Sequence, residues 1–305
     1  MDGRVIETKD AVCSVLSPTF LGIFEGIKAY VNSGKTSREI DLNIFRWDDH
    51  FNRLMRSANV SSFEIPYSRN ELLSATRETF RANNYRGNTY IQPRIWPKIY
   101  SDSEYPEEDV HVLIPLFPFE TILDKDNGKF TGKFCLVVSS WRRIASDALP
   151  PQNKTFGNYA NSRIGDNEAN RLGYDGCIFL DSRGFVSEAA RACIVFVKDN
   201  ILITPPVSAS ILDSITSQTI ITLAKEAQLQ VEVRDIARVE MYGMDECFLC
   251  ATGTEIRPVS SIDDLKIGEE YPGPVTRKIA GDYFEVVSGR IFKKSGWLTS
   301  IFSER

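Results

Sequence analysis

Residues 150–162 read Pro150-Pro-Gln-Asn-Lys154-Thr-Phe-Gly-Asn-Tyr159-Ala-Asn-Ser162. A lysine set between a proline pair and a Gly-Asn-Tyr is an odd setting, although by residue type alone a lysine is a solvated surface residue. Helical spacing starts beyond it, and a helix is expected over Tyr159–Leu172. Further on, short apolar runs alternate with turn residues. Strands are expected at Gly176–Asp181, Phe185–Glu188, Ile194–Val197 and Ile201–Thr204. Asp181-Ser-Arg-Gly184 and Lys198-Asp-Asn200 break these runs as hairpin turns do. A second helix is expected over Ile215–Gln228, where Ile220, Leu223, Ala224 and Ala227 repeat at core spacing.

Upstream, Phe134–Ser140 reads as a strand, and the first 118 residues read as strands alternating with helices. Strands are expected at Gly3–Ile6 and in the apolar run through Phe24, then at Tyr90–Trp96 and Val110–Phe117. Ser68-Arg-Asn-Glu71 is a capping box, opening a helix to about Phe80. Polar Thr121–Lys133, with Asp126-Asn-Gly128 as turn chemistry, is the linker. The fold class expected is α/β (α+β) in two domains: a small one over 1–120, a linker over 121–133 and a larger, strand-rich one over 134–305.

The chain has 305 residues, 42% hydrophobic and 25% charged, with a net charge of −5. Its acidic and basic residues are interleaved, which argues against a nucleic-acid partner held by a basic surface. No apolar run approaches the length of about 20 residues that crosses a bilayer, so a cytoplasmic enzyme without a membrane partner is expected. Six cysteines read as buried small hydrophobes. Cys247-Phe-Leu-Cys250 spells C-x-x-C, but residues three apart on a strand point to opposite faces. With only His50 and His111, a histidine-rich metal site is excluded, and no metal is expected. Neither a phosphate-binding G-x-x-x-x-G-K-[ST] loop nor a G-x-S-x-G nucleophile turn occurs. Leu212-Asp-Ser-Ile-Thr216 runs into a helix and presents either an anion site or simple capping by Asp213 or Ser214.

Several ordered segments together resemble the branched-chain aminotransferases, pyridoxal-phosphate enzymes of fold type IV. Phe24-Glu-Gly-Ile-Lys-Ala-Tyr30 is similar to the family's F-E-G-I-R-x-Y, and His50-Phe-Asn-Arg53-Leu to its H-x-x-R-L. Tyr90-Ile-Gln-Pro resembles Y-I-R-P, and Ser139-Ser-Trp-Arg142 resembles S-S-W-x-R. Lys154 to Ser162 resembles K-x-x-G-N-Y-x-x-S, the segment of the Schiff-base lysine. The series continues through Gly173-Tyr174, Asp181 to Glu188, Thr204-Pro-Pro206, Ile215-Thr216 and Asp245-Glu246 with Thr252.

The resemblance implies a transaminase that alternates between an amino acid and a 2-oxo acid, with a site between two domains and a homodimer or a multiple of one. Lys154 would carry pyridoxal 5'-phosphate and shuttle the proton, which requires an amine able to lose its charge. Tyr159 would donate to the cofactor's phenolic oxygen, and Glu188 would keep the pyridine nitrogen protonated. Arg53, the amides of Ile215 and Thr216, and the Thr252 hydroxyl would hold the phosphate. Phe24, Gly26, Tyr90 and Phe119 would form an apolar substrate wall, and the amides of Gly253 and Thr254 would take the carboxylate.

Gln92 stands where the family has an arginine that receives the distal carboxylate of glutamate, and an amide cannot replace that ion pair. Arg94, two residues on and expected on the same strand face, and Arg191 are the two candidates to restore the cation. Cys193 replaces the Asn of E-x-x-x-x-N, Ser217 the Arg of G-I-T-R, and Ala251-Thr-Gly-Thr254 the family's G-T-A-A. These departures imply a specialised substrate. Other readings stay open: a D-amino-acid or amine aminotransferase, an aminodeoxychorismate lyase, or a non-catalytic homologue that binds.

Overall fold

Prolines and turn residues decide where the strands of this chain stop. The computed structural model describes residues 1–15, 17–33, 41–98, 110–122, 130, 132–291 and 296–302. They form two units: Met1–Phe119, Asn153–Gly157 and Glu285–Arg305 in the first, and Glu120–Gln152 and Asn158–Phe284 in the second. The boundary is therefore not the linear one read from sequence, which places 134–305 in one domain. The chain re-enters the first unit at the lysine segment and again at its end, where Leu298–Ser300 pairs antiparallel with Leu42–Phe45. The Asp126-Asn-Gly128 turn of the expected linker lies outside the described residues.

In the first unit the strands are β1 (Ile23–Phe24), β2 (Ile27–Val31), β3 (Leu42–Phe45), β4 (Thr89–Ile91), β5 (Arg94–Pro97), β6 (Val110–Leu113) and β7 (Leu116–Pro118). The helices are α1 (Trp47–Val60) and α2 (Arg69–Asn83). The expected strand Tyr90–Trp96 is two strands in two sheets, because Pro93 has no N–H to continue a ladder. Val110–Phe117 likewise splits at Ile114-Pro115. Gly3–Ile6 is not a strand. Asp2 alone pairs with Val112 through its backbone N–H and its carboxylate, and Gly3 then leaves at φ 78°. The capping box of α2 forms as read: Ser68 Oγ accepts from the Glu71 amide at 3.3 Å, and Glu71 accepts from the Ser68 amide at 2.8 Å.

The second unit has two five-stranded sheets. One contains β8 (Cys135–Arg142), β9 (Gly176–Leu180), β10 (Val186–Ala189), β16 (Ser261–Ile262) and β17 (Leu265–Lys266). The other contains β11 (Cys193–Lys198), β12 (Ile201–Thr204), β13 (Val231–Val233), β14 (Glu246–Ala251) and β15 (Glu255–Pro258). Leu136, Ile178 and Val186 from the first share a core with Ile194, Phe196 and Leu249 from the second. Both expected hairpins form. At the first turn Asp181 Oδ1 accepts from the amides of Arg183 and Phe185, with Gly184 at φ 90°. At the second, Asp199 and Asn200 take the left-handed conformation that two-residue hairpins require.

Parallel pairing of β8 with β9 and of β12 with β13 adds crossovers to these hairpins, made by helices α3 (Tyr159–Arg171) and α4 (Ile215–Glu226). Helix α3 lies close on β9, since a Cβ on Gly165 would stand 2.4 Å from the Phe179 ring.

Candidate active site

In the first unit, one face of α1 organises the lysine segment. His50, Arg53 and Ser57 are spaced three and four residues apart, so they share that face. Ser57 Oγ accepts from the Lys154 amide at 3.1 Å, and Ser61 Oγ, just past the helix, accepts from Asn153 Nδ2 at 3.0 Å. From the other side Phe24 N donates to the Lys154 carbonyl at 3.0 Å, and Phe156 N donates to Gly22 O at 2.8 Å. The lysine, after the proline pair and before a turn, is thus held by its backbone from both sides. Lys154 is buried, with Nζ 4.7 Å from the Phe24 ring centre, and Phe24 stacks on Phe156 at 4.8 Å.

Glu25, in the apolar run Ile23-Phe-Glu-Gly-Ile27, is fully buried. Arg53 donates to it from Nε at 2.6 Å and from Nη2 at 2.8 Å, while His50 Nδ1 lies 2.8 Å from Oε2. Burial pushes the Glu25 carboxyl up, but the Arg53 guanidinium and the His50 contact outweigh it and hold it well below the usual carboxylate range. Burial pushes His50 down, outweighing the attraction of Glu25, and the charges of Arg53 and Lys154 push the same way. A neutral His50 beside an ionised carboxylate carries its proton on Nδ1, because that carboxylate only accepts. Arg53, expected from the resemblance to hold phosphate, therefore also neutralises Glu25.

The residues expected to form the substrate wall lie in the same unit. Strands β2 and β4 pair with Lys28 opposite Tyr90, and the Tyr90 hydroxyl lies so close that a Cβ on Gly26 would be 1.9 Å from it. Phe119 meets Tyr30 edge-on at 5.6 Å and lies 4.0 Å beneath the Lys28 ammonium. Lys28, buried beside these residues, was not singled out from sequence; its signal is a charge within the otherwise apolar β2. Gln92 Oε1 accepts from Arg94 Nε at 2.9 Å and also from Nη2, so the two side chains do meet as expected, although Pro93 breaks the strand between them. The Arg94 guanidinium lies 5.8 Å from the Phe156 ring centre. Arg191 belongs to the second unit, is exposed, and pairs with Asp166 at 3.0 Å.

In the second unit Glu188 is buried at the end of β10. Arg143 Nη2 reaches its Oε1 at 2.7 Å, and the Leu212 amide lies 3.3 Å from each carboxylate oxygen. Leu212 opens the turn into α4, whose first residues are Ile215 and Thr216. Ser214 caps that helix by accepting from the Ser217 amide at 3.2 Å, and Asp213 accepts from Gln218. The capping reading thus holds, and it leaves the Ile215 and Thr216 amides in the first turn, where an anion is favoured.

Thr252, Gly253 and Thr254 form the turn after β14, two to four residues beyond Cys250, whose thiol meets the Ser217 hydroxyl. Cys247 belongs to the sheet-to-sheet core and Cys250 does not, so the pair faces opposite ways, and burial pushes the Cys250 thiol up to about 12. Among the described residues, no cluster of three His, Cys, Asp or Glu side chains suits a metal ion.

Tyr159 opens α3, which is tied to β8 by Glu168 through Ser139 Oγ at 2.5 Å and the Ser140 amide at 3.1 Å. The Ser-Ser of the 139–142 motif is therefore a helix anchor. Arg143, which occupies the last position of S-S-W-x-R, was not named from sequence.

Residues 22–262 match the family model for class IV amino-transferases. A probable branched-chain-amino-acid aminotransferase of Aquifex aeolicus is 35% identical, with 99% of this chain and 96% of that protein covered. The crystal structure of the branched-chain amino acid aminotransferase of Thermobaculum terrenum in its PLP form superposes with a TM-score of 0.90 at 35% identity, covering 99% and 97% of the two chains. The enzyme of Thermoproteus uzoniensis, solved with norvaline, gives 0.89 at 35% identity, covering 99% and 98%. With its buried lysine segment, its helix-end amides and its two-unit α/β fold, the chain belongs to the class IV aminotransferases, as a pyridoxal-phosphate-dependent transaminase similar to the branched-chain enzymes.

Proposed function

We propose that this transaminase moves the amino group of an apolar L-amino acid to a 2-oxo acid in two half-reactions, with Lys154 as the catalytic residue. The observation that best supports the reading is the Lys154 amine, buried over the aromatic face of Phe24 and fixed through its backbone by Ser57. The donor set fits pyridoxal phosphate: a buried amine, a buried carboxylate at Glu188, and a helix N-terminus at Ile215-Thr216 for a phosphate. When bound, that group supplies an electron-withdrawing ring.

The chain's own residues do the rest. Lys154 Nζ takes the proton from the substrate Cα and would return it two atoms on, at the carbon across the amino nitrogen. Glu188 holds a proton at the ring nitrogen, and Tyr159 donates to the phenolic oxygen. Thr252 and Arg53 add to the phosphate contacts of α4, while Glu25 fixes the angle of Arg53. Phe24, Gly26, Tyr90 and Phe119 exclude water from an apolar side chain, and the Gly253 and Thr254 amides orient its carboxylate.

Gln92 carries no charge, so glutamate gains no ion pair from that position, and a specialised donor or acceptor follows. The same observation favours a second reading, a D-amino-acid or amine transaminase. A cytoplasmic homodimer, or a multiple of one, completes the proposal. No described helix is long and apolar enough to cross a membrane.

A donor panel with chiral analysis of the product tests both readings. L-product from apolar donors, with borohydride fixing the cofactor on the Lys154 peptide, is expected. D-product establishes the second reading, and fastest turnover of leucine, isoleucine and valine with 2-oxoglutarate rejects the specialised substrate.

A further inference from the structure

Arg143 lies outside every role assigned above, yet it makes a closer contact to Glu188 than the Leu212 amide does. It is buried, as is Glu188, and its Nη2 donates to Glu188 Oε1 at 2.7 Å. Its Nη1 donates to Ser162 Oγ at 3.1 Å and lies 3.3 Å from Asn161 Oδ1, both in the first turn of α3, the helix that Tyr159 opens. Its Nε is buried with no hydrogen-bond partner among the described residues, and its carbon lies 5.7 Å from the Phe179 ring centre. A guanidinium placed this way is not a surface ion pair. It is a cation fixed at one end by α3 and aimed at a single carboxylate.

We infer that Arg143 is a positioning residue for the cofactor: it keeps Glu188 ionised, and it ties the direction of that carboxylate to the start of α3. The inference rests on the assignment of Glu188 to the ring nitrogen. Two links follow from the geometry. Leu212 joins Glu188 to the turn that leads into α4, so the groups meant for the phosphate and for the ring nitrogen share one framework. Arg143 and Ser162 join Glu188 to the helix of Tyr159, so the ring nitrogen and the phenolic oxygen are registered as well. Arg143 also draws negative charge from Glu188, which moderates how firmly that carboxylate holds a proton on the ring.

The other ionisable groups around the pair do not compete for it. Cys177 on β9 has a thiol that burial pushes up to about 12. Asp166 is engaged by Arg191, and Glu168 by Ser139 and Ser140.

The test uses purified protein loaded with pyridoxal phosphate, comparing wild type, R143Q, R143K and S162A by cofactor retention on dialysis and by pH titration of the visible band. R143Q is expected to bind the cofactor about tenfold more weakly or worse, because truncating one partner of a buried charge pair costs more than the 1.4 kcal/mol that a factor of ten represents. Loss of a positive charge also favours bound protons, so the band's pH midpoint moves up. R143K keeps the charge without the fork, so its midpoint stays near wild type while affinity is only partly restored. S162A, which frees Arg143 without removing it, shifts affinity the same way by less, and it serves as the test if R143Q does not fold. An R143Q or S162A protein with wild-type retention and an unchanged midpoint, but a lower melting temperature, reduces Arg143 to a structural role and overturns the inference. A wild-type protein that forms no visible band overturns the cofactor assignment itself.

Discussion

Replacing Glu25 with glutamine removes one charge from a cluster that is almost completely buried. The carboxylate is 0% exposed, Arg53 is 4% and His50 is 1%. Two oxygens of Glu25 accept from two Arg53 nitrogens and from His50. Glutamine leaves one acceptor oxygen and turns an NH2 toward a donor, so Arg53 keeps its charge but loses this counter-ion. Removing one partner of a buried pair costs roughly 3–5 kcal/mol. For domains of comparable size each kcal/mol is worth about 2–4 °C. E25Q should therefore melt on the order of 10 °C below wild type. Calorimetry on cofactor-free protein is the assay, since bound ligand adds its own stabilisation.

A double variant, E25Q/R53Q, decides the cause. With both charges gone the desolvation cost of the guanidinium disappears, and the double variant should melt above E25Q. If E25Q melts within about 2 °C of wild type, or the two substitutions simply add, Glu25 and Arg53 are not coupled and the reasoning fails.

Acid should destabilise the protein in two stages. His50 stays neutral in the folded chain because burial pushes it down, whereas the unfolded chain takes up its proton near pH 6.5, so stability falls as pH drops through that value. Glu25, pushed down by Arg53 against its burial, adds a further loss as pH falls below about 4.3, the unfolded value. Urea midpoints measured from pH 7.5 to 4 should decline throughout, and H50Q should flatten the upper stage; an H50Q curve parallel to wild type would refute that assignment. Gly26→Ala places a methyl 1.9 Å from the Tyr90 hydroxyl oxygen and should lower kcat/KM for apolar donors at least tenfold. G26A/Y90A should recover the melting temperature that G26A loses, and equal melting of G26A and wild type would show that the wall yields.

Local chemistry was legible wherever its cause was local. The Asp181 and Asp199-Asn200 turns dictate their own hairpins, and Ser68 with Glu71 dictates the start of α2. The lysine segment was legible by resemblance, since proline pairs and a Gly-Asn-Tyr carry no chemistry by themselves. What could not be read are pairings whose partners are distant in the chain. Strand Leu298–Ser300 completes the sheet of β3 from more than 250 residues away. The parallel neighbours β8–β9 and β12–β13 depend on which way a helix crosses. The unbroken strand expected over Tyr90–Trp96 was a misreading of a signal that was present, for Pro93 sits at its centre.

The buried charges had a signal of another kind. Glu25 interrupts an apolar run on β1 and β2, and a buried carboxylate must find a counter-ion, because isolated ionisation in an apolar setting costs far more than a fold can spare. That demand, made by one residue, reaches across the sequence to two partners that share one face of α1, the neutral His50 and the cationic Arg53 three residues on. Reading Arg53 only as a phosphate ligand satisfied the resemblance and left Glu25 unexplained. The same logic applies to Glu188: a carboxylate inside a strand demands a counter-ion, and Arg143 stands at the arginine position of S-S-W-x-R. In both cases the acid was visible first, and the base that it requires is the residue whose role is new.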